Sequence, residues 1–284
     1  MNVGFYFDDS QRYGNKTREI AKSSNTHYAW CWRYAKNADD PPEVWLPGLQ
    51  ASCQRAVEAG RRIHLNIDMT WPTPIDDVFK KLLPFKDNVD LVEGADEPKW
   101  NLSATTSQLR AIRQSMRRTG FGIKPIGIVY STDQFPVKPG KIRPYDSADW
   151  IGVEAYIKPP GDHNSPYNVA AMEKYLGRAL GEVERARKLA VVIPMAYSRN
   201  YEWRGIGHPD IRRWQGPYLE PDSAPWRQAV KTLVDLQQPI YDMCKDNKRV
   251  IGMNFFSWER WSGAREYHAL AKEVLTKGAL ACKL

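Results

Sequence analysis

The sequence predicts an α/β protein folded as one (β/α)8 TIM barrel over residues 1–284, and three observations carry that expectation. Eight short apolar runs alternate with helix-like stretches, the pattern of parallel strands joined by crossover helices. No shift in composition marks a linker, and 284 residues can bury one large core. Neither G-x-G-x-x-G nor G-x-x-x-x-G-K-[ST] follows an early run, which argues against an open doubly wound sheet.

The eight strand-like runs are, in order, NVGFYF (2–7), THYAWCW (26–32), RIHLNID (62–68), VDLVEGA (89–95), IKPIGIVY (123–130), ADWIGVEAYI (148–157), LAVVIPMAYS (189–198) and RVIGMNFFSW (249–258). Between them, residues 42–59 place Leu49, Cys53, Ala56 and Val57 at helical spacing and stop at Gly60, a good residue just past a helix end. Thr73-Pro74-Ile75-Asp76 reads as N-cap, first-turn proline and an acid at the third position of the next helix. Leu109, Ile112 and Met116 stripe the helix that closes at Gly120. Ser165-Pro166 opens one running to about Lys188, and residues 224–245 and 263–276 supply the last two. The fifth connection, STDQFPVKPGKIRPYDS, is Pro-rich, which weakens the case for a helix there. A segment at about 198–222 is too long for an ordinary turn and mixes rings with charges, which suits a lid or subsite loop and equally a packed surface loop.

Composition narrows the class. The chain carries a formal charge of +8, but its basic residues scatter over helical stretches and form no arm or tail, so the charge reads as surface solubility and a nucleic-acid partner is not expected. Cys31, Cys53, Cys244 and Cys282 form no C-x-x-C pair and have no His at ligand spacing, so reduced thiols are expected, with no zinc site and no disulfide framework. His64 sits mid-strand and no H-x-H or H-E-x-x-H occurs; no metal and no cofactor is expected. The start, MNVGFYFDDSQ, has neither a basic n-region nor a long apolar h-region, and no window approaches a membrane span. A cytoplasmic origin, with release by lysis or a non-classical route, and a monomeric state are the default expectations.

A barrel makes a sharp demand, that chemistry lie at the C-terminal ends of its strands. Those ends gather acids and rings: Asp8, Asp68, Asp96, Glu97, Glu154 and Glu259 among the acids, and Trp30, Trp71, Tyr156, Tyr197 and Trp258 among the rings. Carboxylates clustered at one mouth repel, and a fold tolerates them mainly where they bind or react. Alternation places Gly152, Glu154 and Tyr156 on one side, which should be the inside. Asn66 with Asp68, and Asn254 with Trp258, share sides in the same way. Asp96 and Glu97 have opposite parity, but Pro98 cannot extend the ladder, so the expectation is that both face the cleft. Sugars present apolar C–H faces that stack on indole while carboxylates take hydroxyls, so Trp beside acid suits a glycan cleft. Trp150 begins its strand and is expected to pack instead.

On these residues the sequence resembles the (β/α)8 glycoside hydrolases. ADEP is similar to the Asn-Glu-Pro motif that closes strand four in the largest clan of retaining glycosidases, DWIGVEAY to their sixth strand and GMNFFSWERW to their eighth. The resemblance implies that Glu97 is the general acid/base and that Trp258 floors the sugar subsite at the cleavage point. It departs at strand seven, where the clan has its nucleophilic Glu and this chain reads VVIPMAYSRN, without an acid. Three readings remain open, the first two nearly level. Asp96 and Glu97 resemble the tandem Asp-Glu of hexosaminidase-type families, which implies substrate-assisted cleavage: Asp96 orients a 2-acetamido group, Glu97 protonates the leaving oxygen and Tyr197 supports the acetamido group. Alternatively Glu97 pairs with Glu154 or Glu259, about 5–5.5 Å apart for retention and roughly 6.5–9.5 Å for inversion. Third, the barrel binds sugar without cleaving it. N-acetylated glycans such as peptidoglycan, and with them cell-wall lysis, are the expected setting of the first reading.

Overall fold

The computed structural model describes residues 2–5, 17–31, 34–35, 40–68, 75–98, 102–131, 135, 144–155, 169–194, 223–255 and 269–274. Within these, eight strands form a closed barrel in chain order: β1 (Asn2–Phe5), β2 (Thr26–Trp30), β3 (Arg62–Asn66), β4 (Val89–Asp96), β5 (Ile126–Tyr130), β6 (Trp150–Ala155), β7 (Leu189–Pro194) and β8 (Val250–Phe255). Every neighbouring pair is parallel, and β8 closes on β1 with Asn2 opposite Gly252 and Gly4 opposite Asn254. The helices are α1 (Thr17–Ile20), α2 (Pro42–Glu58), α3 (Ile75–Leu82), α4 (Leu102–Arg118), α5 (Val169–Arg185), α6 (Ala224–Cys244) and a last helical stretch over 269–274.

Local signals explain the boundaries. Gly60, at φ 68°, follows α2, and Gly120, at φ 74°, follows α4; both adopt the left-handed conformation that glycine takes at least cost. Ser223 caps α6 through its side-chain oxygen, which accepts from the Trp226 N–H at 3.3 Å. The fifth strand starts at Ile126 rather than 123, because Gly122 is at φ 86° and Pro125 has no N–H to give a ladder. The described part of the fifth connection holds a short 3₁₀ turn, Pro144–Ser147. Among the described residues no helix is long and apolar enough to cross a membrane.

Alternation along the strands builds two apolar layers. Residues such as Val3, Ala29, Leu65, Ile128, Val153 and Val192 face the helices and form the main core with Leu49, Leu109 and Leu176. Tyr28, Leu91, Val129, Trp150, Val191, Ile193 and Ile251 fill the inside of the barrel. Three bulges adjust this alternation. On β8, Val250 pairs with Ala190 and Gly252 with Val191, so Ile251 is the extra residue; on β4 the extra residues are Asp90, against β3, and Gly94, against β5.

Candidate active site

The bulge on β4 positions the acids. Glu93 lies opposite Gly127 and Ala95 opposite Ile128, so Gly94 has no partner of its own and the side-chain parity shifts by one. Glu93 therefore points into the barrel, and three residues later so does Asp96. Only glycine fits the bulge: a Cβ there would lie 2.7 Å from Leu109 Cδ2 and 2.9 Å from Ile112 Cδ1 on α4. The expectation that the ladder ends at the turn closed by Pro98, freeing both acids, is corrected: β4 runs through Asp96, and the Glu97 N–H still donates to Val129 O at 3.0 Å. The inward turn of Asp96 thus comes from the bulge rather than from Pro98. Glu97 follows with φ 41°, left-handed for a non-glycine residue, and its side chain is exposed.

Beneath Asp96 the barrel holds a polar layer. Glu93 is fully buried; Tyr28 O–H donates to its Oε2 at 2.8 Å and Asn66 Nδ2 to its Oε1 at 2.6 Å. His64 Nε2 lies 3.2 Å from the same Oε2, and His64 Nδ1 lies 2.8 Å from Asn254 Nδ2. The imidazole is wedged edge-on between Tyr28, at a 4.8 Å centroid distance, and Trp150, at 5.0 Å. Asn254 faces inward as its alternation implied, and the fully buried Trp150 packs as expected.

Above this layer lie the strand-end acids. Cys31 Sγ, buried at the end of β2, donates to Asn66 Oδ1 at 3.0 Å and to Asp68 Oδ1 at 3.3 Å. Glu154, near the end of β6, is buried with 7% of its surface exposed. Asp96 is surrounded by acids: burial first, then the charges of Glu93, Asp68, Glu154 and Glu97, push its carboxyl well above the usual carboxylate range. A proton held there makes Asp96 a hydrogen-bond donor where an isolated aspartate would only accept. Trp30 is half-buried at the end of β2, its ring 6.3 Å from Tyr28.

The structure thus brings together Asp68, Asp96, Glu97 and Glu154. Asp8, Trp71, Tyr156, Tyr197, Trp258, Glu259 and the segment 198–222 lie outside the described residues. Tyr130, at the end of β5, packs in the outer layer and stacks on Phe135 at 5.5 Å, away from the barrel interior. Glu93 is the functional candidate that the sequence reading missed. Its signal was there: an acid in the middle of an apolar run, on a strand covered on both faces, must have buried polar partners. Among the described residues no group of three His, Cys, Asp or Glu side chains is placed to hold a metal ion.

No protein-family model and no curated protein matches the sequence. Solved structures do match the fold. An endo-β-1,4-glucanase of Xanthomonas axonopodis pv. citri superposes with a TM-score of 0.57 at 11% identity, over 98% of this chain and 99% of that one. An endo-β-mannanase/endo-β-glucanase of Prevotella bryantii gives 0.56 at 10% identity over 96% of this chain and 46% of that one, so this chain spans about half that protein's length. A GH113 β-1,4-mannanase gives 0.56 at 11% identity, over 96% of this chain and 97% of that one. The closed eight-stranded parallel barrel of this chain is the fold of these glycoside hydrolases.

Proposed function

We propose that the protein is a glycoside hydrolase that cleaves a polysaccharide, with Glu97 as proton donor to the leaving oxygen and Glu154 as the carboxylate that acts on the anomeric side. The observation that carries this reading is the convergence of Asp68, Glu93, Asp96, Glu97 and Glu154 on one mouth of the barrel, where their charges act on Asp96. Such crowding costs stability, and strand C-terminal ends are where barrels of this architecture place their chemistry. The fold neighbours support the substrate class, since they are named for β-1,4-linked glucans and mannans. Burial and the acids around it raise the Asp96 pKa and so favour its protonated form, which would donate a hydrogen bond to a sugar oxygen or to a neighbouring carboxylate. That role favours the Glu97–Glu154 pair over substrate-assisted cleavage, in which an ionised Asp96 would offset the positive charge developing on a 2-acetamido group.

The test is a reducing-end assay on β-1,4-glucan, β-1,4-mannan, chitin oligomers and peptidoglycan, with wild type, Glu97→Gln and Glu154→Gln. Wild type should release new ends from at least one β-1,4-glycan, and each variant should lose roughly 10²–10⁴-fold. Inhibition by a thiazoline, with activity confined to chitin oligomers or peptidoglycan, would restore the substrate-assisted mechanism. Binding without turnover, equal in wild type and Glu97→Gln, would make the protein a sugar-binding barrel.

A further inference from the structure

Strict alternation sets Cys31 with Ala29 on the helix side of β2, and the residue does pack in that outer layer, fully buried. The strand ends at Trp30, however, and a turn follows in which the Tyr34 N–H donates to Cys31 O at 3.0 Å. Past the ladder the sulfur reaches the inward-facing side chains of the next strand, 3.0 Å from Asn66 Oδ1 and 3.3 Å from Asp68 Oδ1. Asn66, opposite Trp30 in the register, is fully buried, and its Nδ2 donates to Glu93 Oε1 at 2.6 Å. Its amide oxygen is therefore the atom turned to Cys31, and because that oxygen only accepts, the thiol is the donor. Asp68 is placed differently: it is half-buried just past β3, with its backbone carbonyl held by Gln108 Nε2 at 3.1 Å. One thiol thus joins a buried amide to a carboxyl group at the mouth.

We propose that Cys31 is a positioning residue for Asp68: its S–H group, seated against Asn66, fixes the direction in which the Asp68 carboxyl group meets a sugar hydroxyl at the mouth of the barrel. The inference rests on the reading of that mouth as the site of a glycoside hydrolase. Carboxyl oxygens accept from sugar hydroxyls, and such a contact contributes most when the carboxyl group is oriented before the sugar arrives. Gln108 holds the Asp68 backbone from α4, but a held backbone still leaves the side chain its rotamers. Cys31 restrains those rotamers from the neighbouring strand. The thiol is itself well placed to do so, since its sulfur is fully buried beside an amide whose nitrogen is engaged by Glu93. A thiol is a weak donor, so the bond adds little to global stability and acts on orientation.

The first readout is the infrared S–H stretch, which moves to lower wavenumber as a thiol donates. The difference between wild type and Cys31→Ala, without substrate, isolates the Cys31 band from those of the other cysteines. The same difference taken in an Asp68→Ala background should show the band at higher wavenumber. A band that stays where it was means that the thiol does not donate to Asp68, and overturns the proposal. Should circular dichroism show that a variant does not fold, Cys31→Ser replaces Cys31→Ala and Asp68→Leu replaces Asp68→Ala, since each removes the same group. The second readout is hydrolysis of β-1,4-glucan and β-1,4-mannan. Cys31→Ala should raise KM roughly 3–10-fold with a smaller change in kcat, and Cys31→Ser, which keeps a donor, should recover most of that loss. Equal losses in the two variants, or a loss confined to kcat, would overturn the proposal. Because the infrared measurement needs no substrate, the two readings fail separately: a wild type that cleaves no glycan ends the hydrolase, whereas an unmoved Cys31 band ends the positioning role even in an active enzyme.

Discussion

The Gln108 side-chain amide donates to the Gly94 carbonyl, the group that the bulge takes out of the β4 ladder, and also to the Asp68 carbonyl at 3.1 Å. One residue of α4 therefore fastens the kink that aims Asp96 and the turn that carries Asp68. A bulge is stable only where its freed backbone groups find partners and its extra residue finds room. Here Gln108 supplies the partner, and Leu109 and Ile112, on the same helix, pack so closely that only glycine fits.

Replacing Gln108 by Leu should leave two carbonyls without their donor and cost about 1–3 kcal/mol in a urea melt. The local consequence is more telling than the global one. With the bulge free to relax, Asp96 loses its fixed aim, and the Gln108→Leu variant should lose the proposed hydrolysis at 25 °C, well below its own melting temperature.

A second close approach holds the floor of the barrel. A Cβ on Gly127 would lie 2.1 Å from Cδ2 and Cε2 of Trp150, whose indole N–H donates to Pro125 O at 3.3 Å and whose ring abuts His64. Gly127→Ala should cost roughly 3 kcal/mol or more, since a fully buried indole has nowhere to retreat. Adding Trp150→Phe should recover part of that loss, and the non-additivity of the two changes in a double-mutant cycle measures the contact.

Glu97 offers a test of strain kept for function. At φ 41° a side chain crowds the backbone, and only glycine occupies that region freely. Glu97→Gly should raise stability by about 1 kcal/mol while abolishing the proposed hydrolysis. Glu97→Gln, with the same backbone demand, should abolish hydrolysis without the gain. Chemical denaturation of the two variants beside wild type separates backbone relief from loss of the acid.

How much of this could be read from the sequence depends on whether the cause was local. Gly60 and Gly120 end helices because of their own φ, so both ends were legible; the start expected at 224 is also met, through the Ser223 side-chain cap. The order of strands was legible too, because runs buried on both faces stay apolar whatever packs on them. The bulge at Gly94 was not, since it depends on how Leu109 and Ile112 press against β4. Strict alternation therefore explained Glu154, whereas Asp96 turns inward through the bulge and not through the ladder end expected at Pro98. Glu93 was legible in principle, as an acid in an apolar run, yet its partners Tyr28, His64 and Asn66, and Asn254 behind His64, come from three other strands that only closure brings together.

The dependence of stability on pH should show two opposed limbs. Asp76 is held down to about 2, first by the Arg118 guanidinium that hydrogen-bonds both its oxygens and then by Ser115. A depressed acid contributes stability above its unfolded pKa, about 4, and loses it as pH falls toward the folded value, so this contribution fades between about pH 4 and about pH 2. The pair is exposed and the effect small, so Asp76→Asn should flatten that limb only slightly. Asp96 works in the other direction. Burial and its four acidic neighbours raise its folded value, so the folded state binds a proton that the unfolded chain releases near pH 4. Its contribution is complete below that point and is lost as pH climbs through the raised midpoint. Asp96→Asn, neutral at every pH, should therefore be the more stable protein at neutral to alkaline pH and should lack most of this decline. Urea melts of wild type, Asp76→Asn and Asp96→Asn at intervals from pH 3 to 9 measure both limbs. A wild-type curve that rises from pH 5 to 9 would mean that Asp96 does not hold its proton in the folded protein.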